Sequence, residues 1–392
     1  MIMLQKTLLT RPVVSIRFAV ILLAFFFLPV SDGSAQEKTK IASPASGGKT
    51  KISAALQVLI QEIEQNEALY KNLQVNMTCS EVDQANLTLY DGPKPIQRQS
   101  KISITVQGEM FRNRNQTKGR FISYHSLGLY WLQDGYRPTD SKKIVDDPPQ
   151  IQVDSGTQEN TDVFNGTTFR SFWKDIYAAK GKDEQPRIQK KGLISDQTTG
   201  LINLARPHML LLELGGPRVP LSIFLKGTEA VSAFTGNSKS KSTTRVQIRG
   251  TEKIQGLECT TVRLETFDST GKPRVRRDLW LARDRNLIPI RSLSFTYHIS
   301  TELPNTESLV EAWYEVRPGV WFPRKTHTER YNSIILKREG RQQSSWRKEY
   351  IIESVELDPQ LPDDNFTKLD FEAGTRVNVF QGNKMTKNFK QK

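Results

Sequence analysis

The feature that most constrains this chain is a period-two alternation of apolar and polar residues, repeated in short runs with turn residues between them. In Lys101–Gln107, Ile102, Ile104 and Val106 alternate with Ser103 and Thr105. A strand sends successive side chains to opposite faces, so such a run buries one face and wets the other. Val75, Met77 and Cys79 repeat the pattern, as do Leu87 and Leu89, Val246 and Ile248, Val262 and Leu264, and Val310, Ala312, Tyr314 and Val316. Further strands are expected over Arg120–Leu132, Trp321–Tyr331 and Trp346–Leu357. Asn165-Gly166, Gln255-Gly256, Asp268–Lys272 and Pro318-Gly319 supply local turns. Short strands joined locally imply an antiparallel sheet that curls.

One segment departs from the simple alternation. Asp278–Phe295, "DLWLARDRNLIPIRSLSF", is apolar on both faces. With Arg283–Asn286 as the connection, Leu281 faces Ile288 and Leu279 faces Ile290, four aliphatics on one side. The other side then pairs Trp280 with Pro289 and Asp278 with Arg291, two stabilising pair types worth roughly 0.2–1 kcal/mol each. In this register Leu293 and Phe295 fall on the outer side, which a bulge near Ser292 would correct.

Helices are few. Ile52, Leu56, Leu59, Ile60, Ile63 and Tyr70 recur at helical spacing, so an amphipathic helix over Ile52–Tyr70 must lay its stripe on something. Two short helices are expected in Leu201–Leu214 and Leu221–Leu225, separated by Gly215-Gly216-Pro217. Residues 137–160 read as a long polar loop, 174–191 as charged and unassigned, and the chain after Leu361-Pro362-Asp363 as mostly irregular.

The first residues read as targeting rather than fold. Lys6, Arg11 and Arg17 precede an apolar run over Phe18–Val30, and Gly33-Ser34-Ala35 offers a cleavage site, so residues 1–35 are expected to be a signal peptide and 36–50 a flexible lead. The apolar run falls short of the ~20 residues a membrane span requires. An exported product follows. Export permits a disulfide between Cys79 and Cys259, and two buried thiols are the alternative. The formal net charge is +14. A basic surface suits an anionic membrane surface or plain solubility. Nucleic acid is not expected, because the compartment argues against it and no aromatic residues interleave the basic ones.

No catalytic signature is present: no His-Glu-x-x-His, no Gly-x-Ser-x-Gly and no phosphate or dinucleotide loop. His125, His208, His298 and His327 are scattered without carboxylates at metal-ligand spacing. Asp146-Asp147 and Asp363-Asp364 sit in turn-like contexts. No cofactor and no enzymatic activity are expected.

The order of elements, with "LYKNLQVNMTCSEV" after the first helix, then "GTEKIQGLECTTVRLETFDSTGKPRVRRDLWLARDRNLIPIRSLSF", "EVRPGVWFPRKTHTERY" and "LPDDNFTKLDFEAGTRV", resembles the LolA-like superfamily, whose reference members carry outer-membrane lipoproteins across the periplasm. The resemblance implies a bacterial product, periplasmic or secreted, with an α+β fold. A strongly curved antiparallel sheet forms an unclosed β-barrel, and helices cover its concave face. One such domain would span residues 51–380, with polar insertions near 137–200 and 226–243 and a tail at 381–392. It implies an apolar cavity for lipid or lipoprotein acyl chains. The wall candidates are Ile102, Ile104, Val106, Val246, Ile248, Val262, Leu264, Leu279, Leu281, Ile288, Ile290, Val310 and Tyr314. The lid candidates are Leu56, Leu59, Ile60 and Ile63. Two other readings stay open: an envelope interaction module with a filled core, and an envelope-polymer hydrolase with a composite site. The oligomeric state is not legible.

Overall fold

The computed structural model describes residues 53–84, 95–123, 152–179, 181, 183–196, 205–212, 219–235, 242–362, 364–382 and 384–392. The expected signal peptide and lead, the Leu87–Leu89 run, His125, Asp146-Asp147 and Asp363 lie outside these residues.

The first helix, α1 (Ala54–Ala68), starts at Ser53, whose Oγ accepts from the Leu56 backbone N–H at 3.3 Å. Leu56, Leu59, Ile60 and Ile63 form its buried stripe, and Glu67 continues that stripe one turn further. Two meanders follow. The first runs through β1 (Asn72–Asp83), β2 (Ile96–Gln107), β3 (Met110–Ser123), β4 (Gln152–Phe164), β5 (Phe169–Tyr177) and β6 (Arg187–Ser195). The second runs through β7 (Thr243–Ile254), β8 (Leu257–Phe267), β9 (Pro273–Ala282), β10 (Ile288–Thr296), β11 (Thr306–Arg317), β12 (Val320–Tyr331) and β13 (Ser344–Leu357). Between them lie a 3-10 turn at Pro207–Leu212 and the short helices α2 (Leu221–Leu225) and α3 (Thr228–Thr235), and α4 (Ser333–Glu339) joins β12 to β13.

The meanders meet where β1 pairs antiparallel with β13. A closing hairpin of β14 (Arg376–Gln381) and β15 (Lys384–Lys390) then adds β14 parallel to β6. The described residues thus form one 15-stranded sheet, mostly antiparallel, bounded by β15 and β7 and not closed between them.

Local chemistry sets the turns. Gln255 and Gly256 both take positive φ, 51° and 81°, as a two-residue hairpin turn requires. Asn165 Oδ1 accepts from the Thr167 and Thr168 N–H groups. Asp268 accepts from the N–H groups of Thr270 and Lys272 and from Arg274. These bonds, the Thr270 hydroxyl foremost, hold its carboxyl down at about 2.

Several expectations are corrected. Part of the expected loop at 137–160 is β4, and 174–191 contributes to β5 and β6. The segment after 361, expected to be irregular, carries β14 and β15. In β14 the alternation is carried by only Val377 and Val379, and in β15 polar residues lie on both faces. Of the two alternatives left open for Cys79 and Cys259, two buried thiols is the one found, in different clusters.

The β9–β10 register is also corrected. The connection uses Arg283–Arg285 as a 3-10 turn followed by Asn286 and Leu287, both at φ 55°. One more residue than expected enters the turn, so Ala282 faces Ile288 and Leu281 faces Pro289. The irregularity then falls between Pro289 and Arg291, at Ile290 rather than near Ser292, and Trp280 faces Arg291. Neither expected pair forms. Asp278 is instead bound by Arg263 at 2.7 Å and approached by Arg276 at 3.4 Å, and Arg291 binds Glu307 at 2.7 Å. Trp280 Nε1 donates to Glu252 Oε2 at 2.9 Å, and the Arg291 guanidinium lies 5.2 Å from its ring centroid.

The core is divided. One cluster gathers Tyr70, Val75, Met77, Cys79, Ile104, Val106, Phe111 and Ile288, with Ile102 packed against it. A second joins α1 to β8 and β9. A third holds Leu211, Cys259, Trp280, Ala282, Ile290 and Val310. Each fully buried Leu or Ile contributes ~1.5–3 kcal/mol.

Candidate functional site

The second cluster carries most of the residues singled out in the sequence. Leu56, Leu59, Ile60 and Ile63 of α1 pack with Val262, Leu264, Leu279 and Leu281 of β8 and β9. Met209 and Leu212 of the 3-10 turn, Leu221 and Leu225 of α2, and Leu287 join them, and Val246 and Ile248 pack at its margin. All eight named lid and wall residues are at most 5% exposed, so they fill one another's space. The other wall candidates lie elsewhere. Ile104, Val106, Ile102 and Ile288 belong to the first cluster, Ile290 and Val310 to the third, and Tyr314 is exposed at 38%. The wall candidates thus fall into three clusters and one exposed position.

A polar assembly holds this cluster at one end. Asn286, the left-handed residue of the β9–β10 turn, is its centre. Its Oδ1 accepts from the Trp321 N–H at 2.8 Å and lies 3.2 Å from the Tyr70 hydroxyl oxygen. Its Nδ2 donates to Gly319 O at 3.0 Å and to Asn66 Oδ1 at 3.2 Å, which ties the turn to α1. Its carbonyl oxygen lies 2.8 Å from His208 Nε2, so that nitrogen carries the proton and donates. Tyr70 also donates to the Trp321 carbonyl oxygen, and its ring meets His208 edge-on with centroids 5.6 Å apart.

Glu67, next to Asn66 on α1, adds a second fastening at the same end. Its carboxylate accepts from the Leu221 N–H at 2.7 Å and the Ser222 hydroxyl at 2.5 Å, fastening α2 to α1. Arg206 donates to Gly108 O at 3.2 Å. Burial pushes the Arg206 guanidinium and the His208 imidazole down from their ordinary values, and the Glu67 charge partly opposes both. Burial also pushes the Tyr70 hydroxyl up. Sequence reasoning missed Glu67, Arg206, Ser222 and Asn286. The available signal was an acidic residue on an apolar helical stripe, together with Asn at a turn position that favours φ > 0.

Chemistry of other kinds is sparse. Among the described residues, no group of three or more His, Cys, Asp or Glu could hold a metal ion. His298 is exposed in a turn region, and His327 Nδ1 lies 2.5 Å from Glu311 Oε1, within a half-buried ion-pair group that includes Lys325. No described helix is long and apolar enough to cross a membrane.

No protein-family model matches the chain. No curated protein matches it either. Among solved structures, the chain is similar to a DUF1329 family protein from Desulfovibrio piger, with TM-score 0.35 and 13% identity over 80% of this chain and 95% of that one. It is also similar to an outer membrane lipoprotein-sorting protein domain from Vibrio parahaemolyticus, with TM-score 0.34 and 9% identity over 80% of this chain and 95% of that one.

Proposed function

We propose that this chain is an exported, non-enzymatic binding protein for lipid or lipoprotein acyl chains. The α1–α2 unit acts as a lid over the inner, concave face of β8 and β9. The single observation that carries this reading is how the unit is held. Apolar side chains alone face the strands from α1, while the polar fastenings gather at one end, at Glu67 and Asn286. Such a unit separates from the sheet by breaking a few hydrogen bonds and exchanging side-chain contacts for acyl contacts, at ~0.8 kcal/mol per CH₂ buried.

Native mass spectrometry of the chain purified from the exported fraction, followed by titration with a fluorescent fatty acid, tests the reading. The expected result is a lipid adduct or saturable binding, lost in Leu279→Asp. A bare protein mass with no saturable binding overturns it. A second reading, an envelope interaction module with a filled core, is favoured by the near-complete burial of lid and wall residues against one another, and it would then stand.

A further inference from the structure

Along β9 the residues facing the lid are Arg277, Leu279 and Leu281, so one cation continues the aliphatic row. Arg277 pairs in register with Leu264 of β8 on one side and Ser294 of β10 on the other. It is only 4% exposed. Next to it, Ser292 pairs with Ser308 and Ser294 with Thr306, and Thr328 donates to Ser308 at 2.9 Å. All five hydroxyl residues are buried. The aliphatic side of Arg277 is therefore β8 and β9, and its hydroxyl side is β10 to β12. The guanidinium is covered by α2, with the Phe224 ring centroid 5.8 Å away.

A guanidinium is costly to take out of water, so one this deeply buried under a helix is uncommon. Burial draws this one down to about 10 and leaves it charged at neutral pH. Its cover belongs to the same unit that covers Leu279 and Leu281. Lifting α2 uncovers a cation at the end of an apolar row, flanked by hydroxyl donors. That is the complement of a chain with an anionic head.

We propose that Arg277 is the headgroup anchor of the site, selecting acyl amphiphiles with a carboxylate or phosphate head, the head lying over Arg277 and Ser294 and the chain along Leu279 and Leu281. This rests on the acyl-binding reading above.

The full chain is titrated with hexadecanoate, hexadecyl phosphate and hexadecanol. The two anions are expected to bind about tenfold or more tighter than the alcohol, the scale of a charge-assisted hydrogen bond. Arg277→Leu binds all three alike, and Arg277→Lys keeps part of the preference. The carboxylate and phosphate arms separate the two head chemistries. Equal binding of anion and alcohol by the unaltered chain overturns the anchor and leaves acyl binding standing. Failure of all three ligands overturns both. Retention of the preference in Arg277→Leu assigns Arg277 to propping α2 and overturns the anchor. Should that variant not fold, the headgroup comparison on the unaltered chain and on Arg277→Lys decides.

Discussion

Asn286 concentrates the connections between helix, turn and sheet in one side chain. At φ 55° it occupies a region where Asn is tolerated and Ala strained. Asn286→Ala removes both amide functions, leaves the Trp321 N–H without its acceptor and adds about 1 kcal/mol of backbone cost. The expected loss is about 2–4 kcal/mol by urea unfolding. Asn286→Gly removes the same bonds without the backbone cost, so it should lose less, and equal losses would refute the backbone part of this account. His208 supplies a pH test at the same scale. Its buried imidazole donates through Nε2 and resists a second proton, while in the unfolded chain it titrates near 6.5. A lowered folded-state value means that the unfolded chain binds more protons below that pH. The stability contribution is therefore complete above about 6.5 and is lost as pH falls toward the folded-state value. The urea midpoint should drop between pH 7.5 and 5, and His208→Gln should flatten that slope. Parallel slopes would locate the pH dependence elsewhere. In the sequence, His208 was visible only as a histidine without metal partners. What surrounds it comes from α1, the β9–β10 turn and Trp321, and no local pattern brings those together.

At the scale of elements, α1 was legible because its 3.6-residue stripe is a property of one segment, and Leu56, Leu59, Ile60 and Ile63 are buried as that stripe implies. The β9–β10 hairpin was legible as a hairpin but not in its register. The left-handed Leu287 extends the turn, and the irregularity at Ile290 moves Arg291 out of reach of Asp278. Asp278 then lies in register with Arg263, a partner from β8 that pairing logic confined to one hairpin does not consider. The fastening of α2 by Glu67 is an element-scale device with its own test. Glu67→Ala leaves the Leu221 N–H and the Ser222 hydroxyl without their acceptors, and about 1–3 kcal/mol of local stability goes with them. Hydrogen exchange should quicken at the α2 amides while β8 and β9 stay protected. If α2 is part of a lid, fatty-acid association quickens in the same variant. Faster exchange with unchanged association would assign Glu67 to structure alone.

Over the whole molecule, two meanders are joined at β1 and β13, and the chain then crosses back to finish the sheet at its far end. The crossing segment is fastened on the way. Arg112 donates to the carbonyl oxygens of Asn365 and Lys368, and Lys174 and Lys190 bind Glu372 at 3.0 and 2.8 Å. Phe371 packs against Phe172, with ring centroids 6.4 Å apart. This closure was illegible in the sequence. It depends on a parallel pairing of β14 with β6, between segments far apart in the chain, and β15 alternates without an apolar face. Its tightest point is Gly192 on β6. A Cβ there would lie 2.9 Å from Phe371 Cδ1 and 3.0 Å from Val377 Cγ2, closer than packed atoms tolerate. Val377 is fully buried, so it has little room to move away, and Phe371 is held against Phe172. Gly192→Leu should therefore detach β14 and β15 from β6, with Gly192→Ala intermediate. Trypsin would then cut early at Lys384, Lys387 and Lys390. The cluster of α1 with β8 and β9 lies at the other end of the strand order, separated from β6 by the whole of the first meander and the seam. Its response should be independent, so fatty-acid affinity and α1 protection should stay within twofold of the unaltered chain, about 0.4 kcal/mol. Unchanged proteolysis would show that the sheet absorbs the added side chain. Joint loss of the closing hairpin and of α1 protection would show that the two meanders unfold as one cooperative unit.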